Sequence, residues 1–93
     1  MTVIHTLSYP VKKHLMDNHA IGIEKYSGTE TVLPIIHNRL LNSILEKSNE
    51  DIYGGLVEHH FSIQESNNQV ERETSEYLYN LHKTALALRG CHV

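Results

Sequence analysis

SNEDIYGGLVEHHFSI, residues 48–63, decides between an all-α chain and an α+β one. Its opening favours a helix. Ser48 is a good cap residue, and Glu50 and Asp51 would sit beside the positive end of the new helix dipole. Ile52, Tyr53, Leu56, Val57, His60 and Phe61 then recur at i, i+4 spacing, the period of one helical face. Two features oppose this. Gly54 and Gly55 each cost a helix interior about 1 kcal/mol relative to alanine. In addition, Val57, His59, Phe61 and Ile63 alternate with Glu58, His60 and Ser62, which is the period of a strand. The balance falls on a helix over 50–63, with α+β and a strand near 55–64 as the alternative.

The segments on either side read more plainly. In TETVLPIIHNRLLNSILEK, residues 29–47, Leu33, Ile36, Leu40 and Ile44 form one stripe, widened by His37, Leu41 and Leu45. Asn38, Arg39, Asn42, Ser43 and Glu46 fall on the other face, so the segment is an amphipathic helix. Thr29 or Thr31 is the cap, and Pro34 is tolerated in the first turn, where a missing N–H costs nothing. At the other end, Ser66 and Gln69 fit a capping box. Val70, Thr74, Tyr77, Leu78, Leu81, Ala85 and Leu88 follow at heptad-like spacing. Glu71, Glu73 and Glu76 precede Lys83 and Arg89, an order that suits the helix dipole, and Gly90 is placed to end the helix. Helices are therefore expected near 31–47, 50–63 and 68–89. The expected architecture is all-α, a short helical hairpin plus a long C-terminal helix that packs as a dimer.

Residues 1–28 are a poorly determined N-terminal segment preceding a helical domain over 29–93. "TVIHTL" suits a short strand or a frayed tail, and Pro10 can open a short helix through "VKKHLMDN". "AIGIEKY" fits a strand or a second short helix, and Ser27-Gly28 reads as a break.

At 93 residues the chain is the size of one domain, and 40% apolar with 20% charged residues is a globular composition. No apolar run approaches the roughly 18 residues of a membrane span, and no secretory leader is evident. The single cysteine, Cys91, forms no internal bridge, which leaves the cytoplasm as the expected compartment. Net charge is -3, and Lys12-Lys13 is the only basic pair, which disfavours tight binding to nucleic acid. A DNA-binding surface would have to be assembled in a dimer from Lys12, Lys13 and Arg39. Eight histidines would carry the net charge from -3 to +5 on full protonation (-3 + 8).

Those histidines do not form a metal motif. His14 and His19 are five apart, His59 and His60 point in different directions, and Cys91-His92 stands alone. No nucleophile elbow, phosphate loop or dinucleotide fingerprint is present. Neither an enzymatic activity nor a cofactor is expected. Tyr79 lies off the apolar stripe, near Glu76 and Lys83 by helical spacing, and suits an interface. The long C-terminal stripe suggests a homodimer seam through Tyr77, Leu78, Leu81, Ala85 and Leu88. His37, between Ile36 and Leu41 at the edge of an apolar stripe, is the candidate pH-sensitive residue.

From Thr29 to Arg89, about two-thirds of the chain, the order of side-chain types resembles the YmgB/AriR family of small two-component connectors and biofilm regulators. The segments that carry the resemblance are "ETVL", "IIHNRLLNSIL", "SNEDIYGGLV" and "SEYLYNLHKTALAL". The resemblance implies an all-helical dimer that modulates transcription through a response regulator or another signalling protein, with biofilm formation and acid resistance as outputs. Two other readings stand beside it: a DNA-associated transcription modulator, and a small α/β accessory protein of the mobile-element type.

Overall fold

A computed structural model describes residues 6–19 and 29–90. Its elements are α1 (Tyr9–His19), α2 (Thr29–Leu45), α3 (Asn49–Glu65) and α4 (Gln69–Leu88). The fold is all-α, and no strand occurs among the described residues. Residues 55–64 lie wholly within α3, so the strand alternative does not hold. The readings of "AIGIEKY", of residues 2–5, of the Thr29 cap and of Cys91-His92 lie outside the described residues.

The chain divides into two compact units, residues 1–40 and 41–93, with the boundary inside α2. In the first unit, the amide of Lys12 donates to the Ser8 carbonyl, so Pro10 falls in the opening turn, where no N–H is needed. Val11 and Leu15, one turn apart on α1, are fully buried, while Lys13 and Asp17 pair at 3.1 Å on its exposed side. In α2, Val32, Leu33 and Ile36 are buried. Because α2 starts at Thr29, Thr31 is already inside the helix, and Pro34 is its sixth residue. Pro34 therefore lies beyond the first turn in which the sequence reading placed it, and it denies the carbonyl of residue 30 a helical donor.

The second unit opens with the end of α2, which stops at Leu45, two residues short of the expected Lys47. Lys47 N donates back to Ile44 O, tightening the final turn instead of extending it. Ser48 then caps α3, its Oγ accepting from Asp51 N at 3.2 Å, with Glu50 and Asp51 in the first turn. The cap of α4 departs from expectation. Asn68, not Ser66, is the N-cap, and its Oδ1 accepts from Val70 N at 2.8 Å and Glu71 N at 3.2 Å. Ser66 instead ends α3, and its hydroxyl accepts from Asn68 N and donates to the Glu71 carboxylate. The Ser66–Asn68 link is thus fixed from both sides.

This short link folds α3 and α4 into an antiparallel hairpin. The direction follows from the contacts, since Gly55 meets His82 while His60 lies near Tyr79. Ile52 and Leu56 from α3, and Tyr77, Leu81, His82, Ala85 and Leu86 from α4, are buried. α4 ends as the sequence suggested: Gly90 has φ +80°, the left-handed conformation that glycine adopts without strain. Arg89 does more than complement the dipole of its own helix. Its guanidinium donates to Asn49 Oδ1 at 2.7 Å and to the carbonyls of Leu45 and Lys47. In doing so it ties the end of α4 to the α2–α3 connection and satisfies carbonyls that the end of α2 leaves free.

Candidate protein-binding face

On α3, residues separated by three or four share a face. Ile52 and Leu56 take the inner face and are buried. Tyr53, Val57 and Phe61, at i, i+4 and i+8, take the outer face and remain 42%, 55% and 53% exposed. The sequence groups these five apolar positions, with His60, as a single stripe. The structure splits them into a covered half and an open half.

The open half borders a shallow groove of about 280 Å³ lined by Leu56, Val57, His60 and Phe61 from α3 and Tyr79 from α4. The His60 ring lies 6.3 Å from Tyr79 and 6.2 Å from Phe61. Lys83 Nζ stands over the Tyr79 ring, 5.6 Å from its centroid, within cation–π range. The helical spacing that set Tyr79 near Lys83 in the sequence is the arrangement found. The groove walls are apolar and aromatic, and the exposed Lys83 stands beside them at Tyr79.

The expected dimer seam is distributed differently. Tyr77, Leu81 and Ala85 are buried within the chain, Leu78 is half-buried, and Leu88 is 64% exposed. Burial pushes the Tyr77 hydroxyl pKa well above its ordinary value. A second copy could reach Tyr77, Leu81 and Ala85 only if the core that covers them opened. His37 on α2 is half-buried, and burial holds its pKa below the usual 6.5.

A pair that the sequence reading did not single out lies on the inner side of the hairpin. His82 is only 3% exposed, and its Nδ1–H donates to Leu78 O at 2.7 Å. Its ring packs against the bare backbone of Gly55 and stands 5.1 Å, centroid to centroid, from His59. The available signal was the position of His82 between Leu81 and Ala85, on a helix whose apolar stripe is wide enough to include it. Among the described residues, no group of three or more His, Cys, Asp or Glu side chains is placed to hold a metal ion. None of the described helices is long and apolar enough to cross a membrane.

No family model, curated protein or solved structure matches the chain. The resemblance to the YmgB/AriR family therefore rests on the order of side-chain types alone.

Proposed function

We propose that this chain is a small regulatory protein that works by binding another protein through the outer face of α3. The observation that carries this reading is the row Tyr53, Val57 and Phe61, left about half exposed beside an apolar groove that Tyr79 closes on one side. Exposed aromatic side chains next to a groove suit a protein partner, because they bring large contact area at small entropic cost. The occupant that fits is an amphipathic helix, which lays apolar side chains three and four residues apart into such a groove. The charges favour protein over nucleic acid. Lys83 is the one cation placed beside the groove among the described residues, whereas a phosphate backbone requires a basic face. In its finer form, suggested by the family resemblance, the partner belongs to a two-component signalling pathway.

Affinity purification with Phe61→Asp tests this reading. Removing an interface aromatic of this kind weakens binding by about 30-fold, the equivalent of roughly 2 kcal/mol. Because Phe61 is half exposed, the hairpin itself should melt as in the wild type. The reading predicts a protein that co-purifies with wild type and with Ser43→Asp, and is lost from Phe61→Asp. Recovery of the same proteins with all three chains contradicts it.

A further inference from the structure

We propose that His59 and His82 form a proton-operated latch between α3 and α4, closed when the pair is uncharged and loosened when it takes up protons. The pair lies on the inner side of the hairpin, and its geometry is independent of whatever occupies the outer groove. His82 is buried and donates through Nδ1 to Leu78 O, so in its neutral form Nε2 carries no hydrogen. That bare nitrogen faces α3, 2.6 Å from where a side-chain carbon on Gly55 would stand. A proton added there enters the helix–helix contact itself, against a surface that is close only because residue 55 is glycine.

His59 approaches from the opposite helix, half-buried, with its ring tilted 56° to that of His82 at 5.1 Å. Two imidazolium rings at this distance repel, and the partly desolvated site screens them poorly. The charged groups facing His59 are His82 on α4, Glu58 beside it on α3, and Lys47 in the connection before α3. Burial, and then His82, hold the His59 pKa below 6.5; Glu58 opposes this and Lys47 adds to it. The only ring in contact with His82 among the described residues is His59.

The linkage has a definite sign. The folded hairpin binds fewer protons at His59 than the unfolded chain does, so the unfolded chain gains protons first as pH falls. Stability from the latch is complete above the unfolded value of about 6.5 and is lost as pH drops through it towards the lower folded value.

Two measurements on the full chain test this. In the first, the imidazole resonances of wild type are followed by NMR against pH. The His59 midpoint is expected below 6.5, and it should move upward in His82→Gln. In the second, unfolding by urea is measured at pH 7 and pH 5 for wild type and His59→Gln. The wild type should lose more of its midpoint on acidification than the variant, which isolates His59 from the other histidines. Where His82→Gln does not fold, the wild-type titration and the His59→Gln comparison decide together. A His59 midpoint at or above 6.5, or equal losses in wild type and His59→Gln, overturns the latch.

Discussion

Adjacent glycines in the middle of α3 should respond in opposite directions to the same substitution. A Cβ at Gly54 would meet nothing within 4 Å, whereas one at Gly55 would lie 2.6 Å from His82 Nε2 and 2.7 Å from His82 Cδ2. Gly54→Ala therefore gains only helix propensity, about 1 kcal/mol. Gly55→Ala gains the same amount but forces the ring of His82 aside. That ring has little room to move, since it is 3% exposed and held to Leu78 O at 2.7 Å. Overpacking of this kind costs about 1–3 kcal/mol, and losing the hydrogen bond adds about 1 kcal/mol. After subtracting the propensity gain, Gly55→Ala should destabilise by about 1–3 kcal/mol. The two variants then differ by about 2–4 kcal/mol, and each kcal/mol shifts the melting temperature of a domain this size by about 4–8 °C. Urea and thermal unfolding followed by circular dichroism read this directly. Equal stabilisation by the two substitutions would refute the close α3–α4 contact at Gly55.

Other perturbations probe the ends of the hairpin and the charge of its histidines. Asn68→Ala removes the acceptor for Val70 N and Glu71 N and should cost about 1 kcal/mol in urea unfolding, whereas the neighbouring Asn67→Ala should be close to neutral. Arg89→Ala leaves the carbonyls of Leu45 and Lys47 to water and should cost about 1 kcal/mol, held down by the exposure of the site; thermal melts at low and high salt should show the same loss. His37, whose pKa burial lowers, should add to the loss of stability as pH falls through about 6.5, and His37→Gln should flatten that part of the unfolding curve.

Two element ends governed by neighbouring residues could be read from the sequence, although the Ser66 capping box gave way to Asn68. Ser48 with its following acids predicted the start of α3, and Gly90 predicted the end of α4, because each depends on side chains or backbone a few residues away. Gly55 could not be read in this way. Its missing side chain looks like a defect in a helix until His82, on the other arm of the hairpin, is seen to fill the space. The same distance effect misplaced the α4 stripe. Counting only apolar residues selected Leu78 and Leu88, whereas the buried face runs through His82 and Leu86. The outer face of α3 illustrates a different limit of periodicity. Spacing identifies which residues share a side of the helix, but not which side the rest of the chain covers. Spacing therefore set Tyr53, Val57 and Phe61 on one stripe with Ile52 and Leu56, although the first three form the open surface. Tyr79 was legible because a tyrosine off the stripe, one turn before a lysine, already lies outside the core by spacing alone.

Site-specific photo-crosslinking in cells shows whether the outer face of α3 holds a helix of another protein. A photoreactive phenylalanine analogue replaces Phe61, and in a separate chain it replaces Ser43, exposed on α2. A discrete adduct to another protein is expected from position 61, weakened when Val57→Asp is added, and none from position 43. An adduct that contains only a second copy of this chain, or equal yields from the two positions, contradicts it.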